Sequence, residues 1–317
     1  MKIAVLEPLG ISEEEIRAIA KPITDKGHEL IVYNNKVTEV EALKERVKEI
    51  DVVVLANMPL KGEVIHSNDR LKMISVAFTG VDHIDLEACK ENHIIVSNSA
   101  GYSTSSVAEL TYGLIISLLR KIVPLDDVTR KEKTMAGFSQ TDLYGKTLGV
   151  IGTGSIGSKV AEIGLAFGCN VLAYNRSENK DLVSKGVRYL PLEELLKESD
   201  IVTVHIPLTT ETRGLIDAEK LKLMKKNSLL INTARGPIID NEALAKALKN
   251  GNLGGAGIDV FDMEPPLPLE YPLLNSPNTV LTPHIGFATK EAMKRRAQIT
   301  FENILCWIEG NPQNRVI

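Results

Sequence analysis

Aromatic side chains are few in this chain of 317 residues, which has neither an excess of positive charge nor a long apolar run. Only 4% of the residues are aromatic, which leaves few surfaces on which nucleic-acid bases could stack. The formal net charge is −4, so the composition predicts no basic surface for DNA, RNA or an anionic membrane. No apolar run reaches the ~18 residues that a membrane span requires. We therefore expect neither nucleic acid nor a membrane among the partners.

Cysteine is rare as well, and the three cysteines (Cys89, Cys169 and Cys306) lie far apart in the sequence. Free thiols in a reducing compartment are the simplest interpretation of this odd number. An acidic residue, Glu7, interrupts the N-terminal apolar run too early for a signal peptide. These features predict a cytoplasmic protein. Cys89 and His93 have a spacing that could bind zinc, but no second ligand pair accompanies them, and we predict no metal site.

The remaining composition, 44% hydrophobic and 25% charged, is typical of a globular protein with full cores, and the length allows two domains. Short apolar runs alternate with segments of helical periodicity over residues 1–98, and a second such series covers residues 147–282. Strands that alternate with helices predict parallel sheets covered by helices on both faces. The fold class predicted is therefore α/β with two doubly wound parallel sheets.

Local patterns give more detailed expectations. Ser12 with Glu15, and Thr38 with Glu41, have the spacing of capping boxes at helix starts. Pro22 is expected to end or kink the first helix. The apolar segment over residues 105–122 is interpreted as one helix, and residues 126–142 as a polar surface stretch.

A glycine-rich turn, Gly152-Thr153-Gly154-Ser155-Ile156-Gly157, follows an apolar run that ends at residue 151 and opens a helical segment. In this pattern the first glycine permits a tight turn, the second lets the backbone approach a pyrophosphate, and the third lets helix and strand pack closely. The N–H groups and the dipole of the helix N-terminus then favour phosphate. The turn predicts a dinucleotide site, with an ordinary glycine turn as the alternative.

The residue that selects the nucleotide is expected about 20 residues further on, at the end of the next strand. Asn175 stands there, followed by Arg176, where an acidic residue would hold the ribose hydroxyl of NAD. Asn175 does not repel a 2′-phosphate, and Arg176 could pair with one. We therefore favour NADP over NAD, with a solvated surface arginine as the alternative for Arg176.

Three segments of the second half each end a buried run with one polar side chain: Arg235 in Asn232-Thr233-Ala234-Arg235-Gly236, Glu264 before Pro265, and His284 after Pro283. The carboxyl ends of parallel strands form one edge, where open α/β sheets bind ligands. A guanidinium can grip a carboxylate with two hydrogen bonds, and a histidine near a carboxylate can donate a proton at neutral pH. These residues predict the reduction of an anionic 2-oxo acid. His205 is expected to line the cofactor cleft.

Together these segments resemble the D-isomer-specific 2-hydroxyacid dehydrogenase family over nearly the whole length. The resemblance also rests on Phe78-Thr79-Gly80-Val81-Asp82, Val107-Ala108-Glu109 and His205-Ile206-Pro207-Leu208. It implies a Rossmann nucleotide domain at residues 99–286, inserted in a flavodoxin-like substrate domain at residues 1–98 and 287–317. It also implies a homodimer through the helix near residues 105–120, which begins near Ser105.

The resemblance further implies roles for individual residues. Arg235 would bind the substrate carboxylate and keto oxygen, His284 would be the general acid or base, and Glu264 would hold it. Backbone N–H groups near Gly80 and Val81 would help to bind the carboxylate. The implied cofactor contacts are Val107, Gly152, Gly154, Ser155, Ile156, Gly157, Asn175, Arg176, His205, Pro207, Thr212, Thr233, Ala234, Asp259 and Gly286.

The loop that contains Asn57 and Met58 should face the substrate tail, and it carries no cation. This argues against a phosphorylated substrate and favours a small 2-oxo acid such as glyoxylate, hydroxypyruvate or a short apolar 2-oxo acid. The alternatives are phosphoglycerate dehydrogenase, and a corepressor or redox sensor that binds the nucleotide without catalysis.

Overall fold

The computed structural model describes all residues from Met1 to Ile317 and divides into two compact units. Unit 1 comprises Met1–Ser103 and Ala288–Ile317, and unit 2 comprises Thr104–Phe287. Unit 2 is thus inserted between the two parts of unit 1. The assignment of unit 1 to the substrate and of unit 2 to the nucleotide stays a prediction.

Unit 1 begins with a series in which strands and helices alternate. Its strands are β1 (Lys2–Val5), β2 (Glu29–Val32), β3 (Val52–Leu55), β4 (Met73–Val76) and β5 (Ile95–Asn98). Its helices in this part of the chain are α1 (Glu13–Thr24), α2 (Val40–Val47), α3 (Gly62–Ile65) and α4 (Leu86–Glu91). The strands pair in parallel in the order β2-β1-β3-β4-β5. The chain therefore reverses direction across the sheet between β1 and β3, a switch point at which such sheets bind ligands.

Unit 2 repeats this architecture with a larger sheet. Its helices are α5 (Thr104–Arg120), α6 (Ile122–Arg130), α7 (Ser155–Ala166), α8 (Lys180–Ser184), α9 (Leu192–Glu198), α10 (Ala218–Leu223) and α11 (Asn241–Lys249). Its strands are β6 (Thr147–Ile151), β7 (Asn170–Tyr174), β8 (Arg188–Tyr189), β9 (Ile201–Val204), β10 (Leu229–Asn232), β11 (Gly255–Ile258) and β12 (Thr279–Leu281). They pair in parallel in the order β12-β11-β10-β9-β6-β7-β8, with the switch point between β6 and β9.

The chain returns to unit 1 with α12 (Lys290–Ile308), which contacts α1 and β4. Each sheet has apolar clusters on both faces, because strands covered on both sides must be apolar on both sides. Two parallel α/β sheets with helices on both faces confirm the predicted fold class. No helix combines the length and apolar composition that crossing a lipid bilayer requires.

Several local predictions need correction. The segment over residues 105–122 is not one helix, because Lys121 has φ +55° and separates α5 from α6. The capping box at Ser12 and Glu15 is confirmed, but α2 begins after Glu39 without a side-chain cap, so the box predicted at Thr38 and Glu41 is wrong. Helix α1 continues to Thr24 with Pro22 inside its last turn.

Candidate active site

The carboxyl ends of three neighbouring strands carry the residues that the sequence predicts for catalysis. β10, β11 and β12 lie side by side and run in parallel, so the segments that follow them start at one edge of the unit 2 sheet. Arg235 follows β10, Glu264 follows β11 and His284 follows β12. The parallel pairing of the strands brings the three segments to this edge, and local contacts then hold each segment in place.

The turn that carries Arg235 is held by buried polar and glycine residues. Asn232, which is fully buried, accepts from the Ala234 N–H at 3.0 Å and donates to the Arg235 carbonyl at 3.0 Å. Gly236 packs so closely that a Cβ there would lie 1.9 Å from the carbonyl carbon of Phe261. The Arg235 turn therefore abuts the chain that leads to Glu264.

Arg235 is a half-buried cation without a carboxylate partner. Its Nη1 donates to the carbonyl of Ala234 at 2.8 Å, and no carboxylate of the chain lies within salt-bridge distance of it. A guanidinium that is partly removed from water without an ion pair is poised for an anion, since its planar donors match a carboxylate.

His284 and Glu264 form the pair that the resemblance implied. The Nδ1 atom of His284 lies 3.0 and 3.1 Å from the two carboxylate oxygens of Glu264. The histidine side chain is 20% exposed and the glutamate 77% exposed. The ring also packs edge-on against Phe287, with centroids 5.3 Å apart. Because the carboxylate occupies Nδ1, it favours the tautomer in which Nδ1 carries a proton, and Nε2 is left to exchange one.

The backbone of His284 is in an unusual conformation. Its φ is +60°, in the left-handed region that residues other than glycine seldom occupy. Its N–H donates to the carbonyls of Asp259 at 2.8 Å and Thr282 at 3.0 Å. The surrounding structure therefore imposes this conformation, as is common where a side chain must be aimed.

Asp259 holds the same segment with its carboxylate. This side chain is 1% exposed and accepts from the Thr282 hydroxyl at 2.6 Å and from the N–H groups of Ile285 and Gly286 at 2.8 Å each. One buried carboxylate thus clamps the chain on both sides of His284. The cofactor contact expected of Asp259 stays a prediction. Its structural role in holding the His284 segment was not evident from the sequence pattern.

The glycine turn after β6 has the shape that the motif requires. Gly152 has φ +93°, and a Cβ at Gly157 would lie 1.8 Å from the Gly152 carbonyl oxygen, so neither position accepts a side chain. Gly154 is the N-cap of α7 and has open space where its Cβ would be. It supplies no side-chain cap to the first N–H groups of Ser155, Ile156 and Gly157. A turn that is open at Gly154 and has uncapped N–H groups fits a pyrophosphate.

The other residues predicted to contact the cofactor lie around the carboxyl edge of the same sheet. The Thr233 hydroxyl lies 3.1 Å from that of Thr111, which donates to the Val107 carbonyl at 2.8 Å. A Cβ at Gly286 would lie 3.0 Å from Asp259 and 3.5 Å from Val107. Val107, Thr233, Asp259 and Gly286 are therefore brought together. The Thr212 hydroxyl donates to the Pro207 carbonyl at 2.7 Å and closes the loop after β9.

His205 lies behind the glycine turn. Its carbonyl oxygen lies 2.6 Å from where a Gly152 Cβ would stand, and its Nε2 is 2.9 Å from the Thr203 hydroxyl. Burial lowers the pKa of His205 to about 3, so the ring is neutral at physiological pH. A neutral, hydrogen-bonded histidine here supports the turn.

Asn175 and Arg176 lie at the end of β7, beside the turn. The Gly152 N–H donates to the Tyr174 carbonyl at 2.8 Å, which ties the two segments. Arg176 is exposed, whereas the Asn175 amide donates to the Ser177 carbonyl at 2.8 Å. The geometry therefore leaves Arg176 as the accessible polar group, and Asn175 shapes the loop.

Four residues predicted to contact the substrate lie in unit 1. The backbone N–H groups of Gly80 and Val81 donate to no other atom of the chain, which suits the predicted anion contact. Asn57 is exposed, but Met58 is fully buried in the core of unit 1. The substrate contact expected of Met58 stays a prediction, and its side chain belongs to one of the apolar clusters of unit 1.

Two residues for which the sequence predicts no part in the site lie beside this loop. The buried carboxylate of Glu7 accepts from the N–H groups of Ala56 and Met58 at 2.8 Å each. The ammonium of Lys36 lies 3.3 Å from the Asn57 Oδ1 and 3.7 Å from Glu7. The loop therefore does have a cation next to it, contributed by another segment. The charge argument against a phosphorylated substrate is weaker than the sequence suggested.

Comparison with known proteins gives a consistent assignment. A family model described as the NAD binding domain of D-isomer specific 2-hydroxyacid dehydrogenases matches residues 112–286. A glyoxylate reductase of Korarchaeum cryptofilum is 38% identical over 86% of this chain and 84% of its own length. A D-3-phosphoglycerate dehydrogenase of Methanocaldococcus jannaschii is 40% identical over 93% of this chain, which corresponds to 58% of that longer protein.

A solved structure agrees over the full length of both chains. It is an acyclic imino acid reductase in complex with NADPH and D-Arg, with a TM-score of 0.89 and 31% identity. The relatives thus differ in substrate and share the architecture.

Proposed function

We propose that this chain, which belongs to the D-isomer specific 2-hydroxyacid dehydrogenase family, transfers a hydride between a nicotinamide cofactor and a small 2-oxo or D-2-hydroxy acid. Glyoxylate, hydroxypyruvate and short apolar 2-oxo acids are the substrates we favour. The observation that supports catalysis most directly is the His284–Glu264 pair, at 3.0 Å, at the sheet edge from which Arg235 also extends without a carboxylate partner. A protein that only sensed the nucleotide would have no need of a held proton donor.

The residues of unit 2 fit a nicotinamide nucleotide. The open space at Gly154 and the uncapped start of α7 suit its pyrophosphate. The cluster of Val107, Thr233, Asp259 and Gly286 would lie toward the nicotinamide end. When bound, the nucleotide supplies or accepts the hydride.

The chain's own residues would handle the substrate and the proton. Arg235 would bind the carboxylate and polarise the keto oxygen, because its fork matches two oxygens at once. His284 would give a proton from Nε2 to that oxygen in reduction and remove it in oxidation. Glu264 would keep the ring oriented and stabilise it when it is charged, and Asp259 would keep the His284 segment in place.

The test is the absorbance change at 340 nm with a panel of 2-oxo acids and both nucleotides. We expect turnover with at least one small 2-oxo acid. His284→Ala should lower kcat by a factor on the order of 10² or more while the Kd of the nucleotide is unchanged. Tight nucleotide binding without turnover on any acid would instead support the sensor, and near-normal rates in His284→Ala would exclude that residue as the proton donor.

NADP is the cofactor we favour over NAD. Arg176 is exposed at the end of β7, where a 2′-phosphate would lie, and Asn175 adds no negative charge there. The similar imino acid reductase was solved with NADPH, whereas the family description names NAD. Arg176→Ala should weaken NADPH binding about tenfold and leave NADH binding nearly unchanged, since a lost charged hydrogen bond is typically worth ~1.5–3 kcal/mol. Equal losses for both would refute the preference.

Phosphoglycerate is a second candidate substrate. The Lys36 ammonium beside Asn57 offers a cation for a distal phosphate, and one relative is named D-3-phosphoglycerate dehydrogenase. If this candidate holds, Lys36→Ala should raise the KM for 3-phosphoglycerate about tenfold or more and leave the KM for glyoxylate unchanged. The second substrate serves as the internal control, and the absence of activity with 3-phosphoglycerate would eliminate the candidate.

We also propose a homodimer that involves the region of α5 and α6. Ile122 and Val123 at the start of α6 are 48% and 55% exposed, which is unusual for adjacent large apolar residues. Val123→Glu should shift the mass in solution from dimer to monomer, as measured by light scattering. Val183→Glu, at a position 43% exposed on α8, is the matched control and should leave the mass unchanged. A monomeric wild-type protein would contradict the proposal.

A further inference from the structure

Four residues next to the glycine turn form a closed ring of hydrogen bonds through their side chains and two backbone groups. The Tyr189 hydroxyl lies 2.9 Å from the Thr153 hydroxyl, and the backbone N–H of Asn179 lies 3.0 Å from the Tyr189 oxygen. On the other side, the Ser158 hydroxyl lies 2.9 Å from the Thr153 carbonyl, and the Asn179 amide lies 3.3 Å from the Ser158 oxygen. Thr153 stands between the first two glycines of the turn, so the ring includes the turn itself.

The bonds run from Asn179 to Thr153 along both sides of the ring. Asn179 donates on both sides, once from its backbone and once from its side chain. Tyr189 and Ser158 each accept one of these bonds and donate the next one, and Thr153 accepts both. Thr153 is 6% exposed, so its bonds are largely shielded from water. A buried polar group left without its partner would be expensive, which makes the ring a specific restraint.

The ring fastens one particular loop to the turn. Asn179 is the N-cap of α8, and its Oδ1 accepts from Asp181 at 3.0 Å and from Leu182 at 3.4 Å. The preceding residues Asn175 and Ser177 are joined by their own hydrogen bond at 2.8 Å. Tyr189 belongs to β8, which pairs with β7 through Ala173. The loop of residues 175–179 is therefore one bonded piece, tethered to the turn at Asn179 and through Tyr189.

We propose that Tyr189 and Asn179 are positioning residues for cofactor selection. This inference rests on the proposed binding of a nicotinamide nucleotide at the turn. The ring sets the distance between the N–H groups that receive the pyrophosphate and Arg176, which receives the 2′ substituent of the adenosine ribose. Neither Tyr189 nor Asn179 needs to contact the nucleotide in order to determine which nucleotide is preferred.

The experiment measures Kd values of NADPH and NADH by fluorescence for the wild type, Tyr189→Phe, Arg176→Ala and the double variant. Tyr189→Phe removes one hydroxyl and both of its bonds. We expect the Kd of the preferred nucleotide to rise about fivefold, which corresponds to about 1 kcal/mol, with a smaller rise for the other nucleotide. The ratio of the two Kd values should therefore move toward one.

The double variant separates positioning from a general loss of stability. If Tyr189 acts by holding Arg176 in place, Arg176→Ala should have less effect on the Kd of NADPH once the ring is broken, so the two changes will not be additive. Tyr144→Phe is the matched control, because Tyr144 is 80% exposed and its hydroxyl forms no hydrogen bond with the chain. That variant should keep the wild-type Kd values and their ratio.

Ser158→Ala breaks the other side of the ring and provides a second variant if Tyr189→Phe does not fold. It should move the ratio of Kd values in the same direction. An unchanged ratio in either folded variant, or strict additivity with Arg176→Ala, would overturn the inference. Failure of the proposed function is a separate result, because a wild type that binds nucleotide without turnover still reports these Kd values, and one that binds neither nucleotide refutes both.

Discussion

Replacement of Asp259 by asparagine tests how His284 is held. The side chain keeps its shape and loses its charge, and it is 1% exposed, so water cannot compensate for a lost bond. In the native protein one carboxylate oxygen accepts from Thr282 and Ile285, and the other accepts from Gly286. An asparagine amide can accept at one of these two atoms only.

The expected losses of stability and activity follow from these three hydrogen bonds. If the amide oxygen stays on the side of Thr282 and Ile285, the amide nitrogen faces the Gly286 N–H at a distance of 2.8 Å, donor against donor. Loss of a charged hydrogen bond is worth ~1.5–3 kcal/mol, and a buried N–H without a partner adds ~1–3 kcal/mol. We expect the free energy of unfolding to fall by about 3 kcal/mol and kcat by at least ~10-fold, because the His284 segment shifts.

The assay is urea unfolding together with kcat on the best 2-oxo acid. Asp240→Asn is the control: Asp240 caps α11 by accepting from Ala243 at 2.9 Å on the surface, and asparagine caps helices equally well. The control should keep the free energy of unfolding within about 0.5 kcal/mol and kcat within about twofold of the wild-type values. A stable and fully active Asp259→Asn variant would show that the clamp is not what positions His284.

Three further outcomes are expected. Arg235→Lys should lower kcat/KM by ~10²-fold or more in steady-state assays, because an ammonium cannot form two parallel bonds to a carboxylate, and unchanged kinetics would refute that role. Gly236→Ala should lower the Tm and kcat together, since its Cβ would lie 1.9 Å from the Phe261 backbone, and an unchanged Tm would contradict this close packing. Burial lowers the pKa of His205 from 6.5 to about 3, so the unfolded chain binds more protons between these pH values, and stability that is present above pH 6.5 is lost as the pH falls. Discounted for partial exposure, this loss is ~1–2 kcal/mol between pH 7 and pH 5, and His205→Gln should flatten the profile measured by urea unfolding at both pH values.

The fold class was predictable from the sequence because local sequence patterns indicate each strand and helix. Alternating apolar runs and amphipathic segments, together with the glycine turn after residue 151, define strands and helices that can assemble only in a few ways. The break at Lys121 was not predictable, because a lysine with positive φ has no local signature. Strand β8 has two residues, which is too short for any periodicity.

The candidate site likewise contains some residues that were predictable from the sequence and others that were not. Arg235, Glu264 and His284 were recognisable because each follows an apolar strand within a distinctive motif. The supporting residues were not, since their partners are distant in sequence: Lys36 reaches Asn57, and Tyr189 reaches Thr153. Such pairings depend on strand order and register, which the sequence of a single chain does not display.

The left-handed backbone of His284 has a consequence for how this protein tolerates substitution. A side chain at φ +60° raises the energy of the folded chain by ~1–2 kcal/mol relative to glycine, which adopts that conformation freely. His284→Gly should therefore yield an inactive protein that melts at a higher temperature than the active one, provided that the Asp259 bonds persist. Selection for thermal stability alone would therefore favour glycine at this position, so a histidine there agrees with the proposed role of His284 in proton transfer.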